Sequence, residues 1–164
     1  MKSRSLAIVA VLCLCAVVAG CSKGPKKPAD LPKLNPTTIV LTYDNGTPCP
    51  GAQVSLRLAQ STGGRTWNLA GVTDASGKLV LKTDGNWDGA PAGTYEVMVT
   101  KEEAEIEKGT EPGASDTVKS ITRRVDSKYS NPKTSGLTAV VEDGKSNTIE
   151  LKCGEEISEA VKVM

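Results

Sequence analysis

Thiols and carboxylates are the side chains of this 164-residue chain best placed to do bond-making chemistry, because the sequence contains no histidine. Without imidazole, the usual general base, the usual nucleophile triads and the commonest zinc ligand are all absent. The 19 acidic residues are scattered through charged and turn-forming stretches, which gives no paired carboxylates about a hollow of the kind acid–base catalysis needs. Of the five cysteines, Cys49 lies between Pro48 and Pro50 and has a potential partner in Cys153. The expectation is no catalytic residue, no resident metal and no cofactor.

Two further groups offer binding chemistry. The stretch "DGNWDGAPAG" places Asp84, Trp87 and Asp88 close together, an aromatic ring beside two carboxylates, and is the candidate contact loop. Its alternative is a ring folded over the edge of the domain. The stretch "TDASG", Thr73 to Gly77, supplies one carboxylate, whereas calcium wants about six to eight oxygens. It reads better as a reversal in which Asp74 bonds backbone two residues on and Gly77 takes a positive φ.

The elements that must position these groups begin with an export signal. Lys2 and Arg4 precede "LAIVAVLCLCAVVAG", an uncharged and mostly apolar run that ends in small residues and is shorter than a membrane span requires. Val18-Ala19-Gly20-Cys21 resembles the lipobox of bacterial lipoproteins, which implies removal of residues 1–20 and lipidation of Cys21 as the first mature residue. Ser22 in place of aspartate leans toward the outer membrane. Processing leaves 144 residues, enough for one domain. It also removes Lys2 and Arg4, so 18 basic residues stand against 19 acidic ones, a net charge of −1. Such neutrality argues against a nucleic-acid partner. With Cys13 and Cys15 gone and Cys21 acylated, Cys49 and Cys153 remain. In an oxidising compartment an even pair suggests a disulfide, with two buried thiols or an intermolecular bridge as the alternatives.

Residues 21–36 carry four prolines and four lysines between Ser22 and Pro36 and no hydrophobic period. They read as a tether of about 3.1 Å per residue where extended. From Thr37 the apolar period becomes two. Ala52, Val54, Leu56 and Leu58 alternate with Gln53, Ser55 and Arg57, and Tyr95, Val97 and Val99 with Glu96, Met98 and Thr100. Leu137, Ala139 and Val141, and then Ile149 and Leu151, continue the pattern. Turn-forming clusters separate the runs, which indicates an all-β antiparallel sandwich of about seven strands over residues 37–153. Residues 101–128 are charged and turn-rich and read as a long exposed loop, and residues 154–164 as a C-terminal tail.

"CPGAQVSL", "GVTDASGKLVLKT", "DGAPAGTYEVMVTK" and "SKYSNPKTSGLTAVVEDGKSNTIEL", in this order, resemble the small bacterial lipoproteins of the carboxypeptidase-regulatory-like, or transthyretin-like, group over roughly Thr37 to Lys152. Leu79 departs from the larger apolar or aromatic residue usual after the Thr-Asp-x-x-Gly turn, and without any phenylalanine the core must be largely aliphatic. The resemblance implies a non-catalytic β-sandwich. The expected function is therefore a lipid-anchored binding or structural module of the bacterial cell envelope. A carbohydrate-binding or adhesion module, marked by an exposed Trp67 or Trp87 beside polar side chains, is one alternative. A subunit that lends an edge strand to a larger envelope complex is another.

Overall fold

The computed structural model describes residues 25–60, 65–109 and 115–161. Residues 1–20, Cys21 and the first part of the tether lie outside them, as do residues 61–64, 110–114 and 162–164. In chain order the strands are β1 (Thr37–Thr42), β2 (Gln53–Leu58), β3 (Leu69–Val72), β4 (Lys78–Val80), β5 (Lys82–Thr83) and β6 (Trp87–Asp88). They continue with β7 (Gly93–Thr100), β8 (Glu102–Glu107), β9 (Thr117–Arg123), β10 (Leu137–Val141), β11 (Asn147–Lys152) and β12 (Glu159–Val161). A single helical turn, α1 (Pro132–Ser135), follows a 3-10 turn at Ser127–Ser130. No helix among the described residues is long and apolar enough to cross a membrane.

Two sheets share one hydrophobic cluster. A three-stranded sheet runs β11-β1-β4 and a six-stranded one runs β10-β7-β2-β3-β5-β6. Ile39 and Leu41 of β1, Val54 and Leu56 of β2, Val97 and Val99 of β7 and Leu81 beside β4 meet in this cluster almost without exposure. The period-two runs therefore face inward where the sequence indicates. With no phenylalanine, the aromatic share of the core falls to Tyr43, Tyr95 and Tyr129.

The pairing is antiparallel with one exception. β1 and β11 run parallel, from Thr37 beside Asn147 to Thr42 beside Lys152, where the sequence suggests antiparallel strands throughout. β1 and β11 are far apart in sequence, so no hairpin turn constrains their relative direction. Four of the twelve strands among the described residues are only two or three residues long, which also raises their number above the seven expected.

Local chemistry explains the turns. Asp74 Oδ1 accepts from the backbone nitrogens of Ser76 and Lys78 at 2.8 and 2.9 Å and from the Ser76 hydroxyl at 2.7 Å, while Gly77 sits at φ 74°. These bonds hold the Asp74 carboxyl below its usual range, the Ser76 hydroxyl first among them. In "YSNPKTSGLT", Asn131 caps α1 by accepting from Lys133 N, Pro132 fills the first helical position and Gly136 closes it at φ 66°. Ser135 then donates to the Val97 carbonyl, pinning this turn to β7 just before β10 pairs with the same strand.

Three expectations require correction. Residues 101–128 are not one long loop: β8 and β9 form a hairpin. Every residue of β8 is exposed, and the alternation of Ala104 and Ile106 with Glu103, Glu105 and Glu107 is too short and too charged to read as a core strand. Cross-strand charge aligns it instead, with Arg124 to Glu103 at 2.8 Å and Lys119 to Glu105 at 3.3 Å. Second, residues 154–164 are not simply a tail, since β12 pairs with β9 and Arg123 reaches Glu159 at 3.1 Å. Third, the domain begins before Thr37. Asn35 is 2% exposed, exchanges backbone hydrogen bonds with Ala90 at 2.8 and 3.0 Å, and accepts from Gly144 N at 2.8 Å.

Candidate functional site

The alternation along β2 breaks at its end, and a cleft opens there. Ala52, Val54 and Leu56 are buried, but Leu58 remains 38% exposed. β3 pairs with β2 only from Gln53 to Leu56. Arg57 and Leu58 thus extend past their β3 partner, and the chain returning through Arg65, Thr66 and Trp67 forms the facing wall. Tyr95 and Leu69 lie at the base, Pro91 and Ala92 bound another side, and Pro32 of the tether approaches from the N-terminal segment. The cleft's volume is about 370 Å³, at the small end of ligand sites, which run from about 300 to 1,000 Å³.

Hydrogen bonds and stacking fix these walls. The Tyr95 hydroxyl donates to the Pro91 carbonyl at 2.8 Å, and burial pushes its phenol up to about 12. Tyr95 is therefore a neutral, fixed ring at ordinary pH. The Arg65 guanidinium lies 4.2 Å from the centre of the Trp67 ring, a cation–π contact. It also meets Asp84 at 3.4 Å and Asp30 at 3.6 Å. Asp84 accepts from Asn68 N at 2.9 Å and donates its own backbone N–H to the Asn68 carbonyl at 2.7 Å. That clasp forces Asp84 to φ 48° and holds residues 65–68 against the sheet.

Arg57 differs from Arg65. It is exposed, lines the cleft and stands across from Glu96 in the β2–β7 pairing. Among the described residues it makes no ion pair within 4.0 Å. The cleft thus combines an apolar base, two aromatic rings, one charge answered by neighbouring acids and one charge left open.

The candidate contact loop divides. Asp84 supports the cleft through Arg65, but Trp87 and Asp88 do not line it. Trp87 is half-buried in β6, paired with Thr83, and Asp88 faces Lys82 at 3.6 Å. Nor is "DGNWDGAPAG" wholly a surface loop: Gly89 donates to the Leu81 carbonyl at 2.7 Å, and Ala90 is buried against Asn35. Trp67 is the tryptophan at the cleft. The sequence signal for this site is the pairing of Arg65 and Trp67 in a chain with only two tryptophans and three tyrosines. Arg57 gives no such signal, because an outward arginine on a half-buried strand is ordinary.

The expected disulfide is not present, and Cys49 and Cys153 are free thiols. They do come together at the end of β1. Cys49 N donates to the Leu41 carbonyl at 3.1 Å, and Cys153 N to the Thr42 carbonyl at 3.0 Å. Both side chains are fully buried with no disulfide between them, and the Cys153 thiol donates to the Thr42 carbonyl at 3.5 Å. The neighbouring Cys153 thiol draws the Cys49 thiol down to about 7 against the burial that opposes it, and Tyr43 and Lys101 add to the fall. The Cys153 thiol is pushed up, first by Cys49 and then by burial. Cys21, the expected lipidation site, lies outside the described residues.

Among the described residues no group of three potential metal ligands comes together. No family model matches the chain, and no curated protein matches it. Among solved structures, a 9R-lipoxygenase from Cyanothece PCC8801 shows 16% identity over 81% of this chain. The match spans only 17% of the lipoxygenase, with a TM-score of 0.35. A likeness at that level carries no inference about fold or activity.

Proposed function

We propose that this is a non-catalytic, lipid-anchored protein of the bacterial cell envelope whose β-sandwich serves as a binding module, with the cleft between Leu58, Trp67 and Tyr95 as its ligand seat. The cleft is the observation that carries the reading, because it joins enclosed apolar surface to a few fixed polar groups as small-molecule sites do. The resemblance of the 37–152 segment to transthyretin-like lipoproteins supports the sandwich, as do two sheets sharing one cluster. The run ending in Val18-Ala19-Gly20-Cys21 supports the anchor. Within such an envelope the buried Cys49 and Cys153 thiols close to a disulfide by exchange with an oxidised dithiol protein. The two thiols lose two protons and two electrons, and the oxidant's disulfide becomes a dithiol.

Saturation-transfer NMR with a panel of neutral, anionic and cationic single-ring compounds tests the ligand seat on the full chain and on Leu58→Trp, which fills the cleft. Binders should lose their signal in the variant. A panel whose binding is unchanged by Leu58→Trp, or that contains no binder, overturns the reading.

A second reading, a subunit of a larger envelope complex, is favoured by the β12-β9-β8 ribbon. Ala104, Ile121 and Val161 stand side by side in its register, followed by Ile106 opposite Val118. Ile106 is 56% and Val118 42% exposed, so this strip is an apolar face with no cover among the described residues. Loss of co-purifying envelope proteins in Ile106→Asp, with folding intact, would support it.

A further inference from the structure

We infer that the cleft selects a small organic anion: a carboxylate carried on a single six-membered ring with an apolar face. This rests on the cleft being the ligand seat proposed above, and it follows from the unequal condition of its two arginines. Arg65 is already satisfied, stacked on Trp67 at 4.2 Å and met by Asp84 and Asp30. It acts as a wall. Arg57 reaches the same cleft with no carboxylate within ion-pairing distance among the described residues, although Glu96 is its neighbour across the strands.

An arginine fork bonds a carboxylate in two places, and such charge-assisted bonds gain strength beside apolar surface. A cationic ligand would meet Arg57 unfavourably. An anion without a ring would leave Leu58, Leu69 and the Tyr95 ring uncovered. A neutral ring would cover them and leave Arg57 unanswered. Only a ring that bears its own carboxylate satisfies both parts at once, and a volume of about 370 Å³ favours one ring over a long chain or an oligomer. Acidic sugars and aromatic acids share this chemistry.

The full chain carries two tryptophans, so Trp87→Phe leaves Trp67 as the sole tryptophan and its emission as a reporter of the cleft. Glucuronate and benzoate are titrated against their neutral twins, glucose and benzyl alcohol, and against inorganic phosphate. At least one acid should bind about tenfold or more tightly than its twin, a factor that corresponds to about 1.4 kcal/mol. Phosphate should not displace it. Arg57→Gln should erase the preference for the acid, and Arg57→Lys should restore part of it. Binding by glucuronate alone identifies the sugar source, and binding by benzoate alone the aromatic one. If a neutral twin binds as well as its acid, if phosphate displaces the acid, or if Arg57→Gln leaves the preference intact, the inference falls and the ligand seat stands. If no probe moves Trp67 emission, both fall.

Discussion

At the scale of the residue, burial decides how each group behaves. Cys49 and Cys153 are fully enclosed, so alkylating agents reach them only when the domain opens. In protein exported to its native compartment and denatured without reductant, both thiols should resist alkylation, and each should gain one adduct after reduction. Two adducts before reduction would contradict the exchange proposed for this pair. Closing a loop of about a hundred residues is worth up to roughly 4.7 kcal/mol in the chain-entropy model, so Cys153→Ala should lower the stability of exported protein by more than it lowers that of reduced protein. Tyr95 shows the complementary case. Its hydroxyl is spent on Pro91, which leaves the ring, and not the phenol, to face a ligand.

At the scale of the element, turns with side-chain bonds are the sharpest features. Gly77 lies at φ 74°, and a Cβ there would strike the Leu41 carbonyl oxygen. Gly77→Ala should therefore cost about 1–3 kcal/mol, read as a lower urea midpoint with an unchanged slope; an unchanged midpoint would show that the turn relaxes freely. The β8–β9 hairpin depends on charge. Arg124 first of all draws Glu103 below its usual carboxyl range, and Ser120 does the same for Glu105. Carboxyls depressed on folding stabilise above their unfolded pKa and lose that contribution as pH falls through the folded value. Cross-strand NOEs of the ribbon should fade as pH falls below about 4, while those between β2 and β7 persist; loss of both together would show that the ribbon shares the stability of the core.

The same contrast explains what was legible in the sequence. Period-two burial marked β2, β7, β10 and β11, whose inward residues form the core. It did not mark β8, where Ala104 and Ile106 alternate with glutamates but no residue is buried. The one-turn helix was foreshadowed only by Asn131, Pro132 and Gly136, and the burial of Asn35 only by a proline-rich context that reads equally well as spacer. The cleft was not picked out: the contact loop was expected at Trp87, Trp67 entered only beside it as a mark of the carbohydrate-binding alternative, and the wall made by Arg57 and Leu58 exists because β3 ends before β2 does.

At the scale of the whole molecule, the domain begins where the tether docks. Lys33 meets Asp143 at 2.9 Å, and Asn35 bonds Ala90 and Gly144, so the proline- and lysine-rich stretch is already tied to the domain from Lys33 onward. Mass spectrometry of the mature N-terminus should find Cys21 acylated; an unmodified Cys21, or cleavage elsewhere, would remove the anchor from the proposal. Pro32 lines the cleft, so the cleft lies where the N-terminal segment meets the domain.

Amide chemical-shift mapping of the full chain in micelles, during titration with glucuronate or benzoate, tests most directly whether the cleft is the ligand seat. The account predicts saturable shifts confined to residues 57–58, 65–69 and 92–95, with the β8–β9 ribbon and the Asp74 turn unmoved. Shifts centred on Trp87 and Asp88, on the ribbon, or nowhere at all would contradict it.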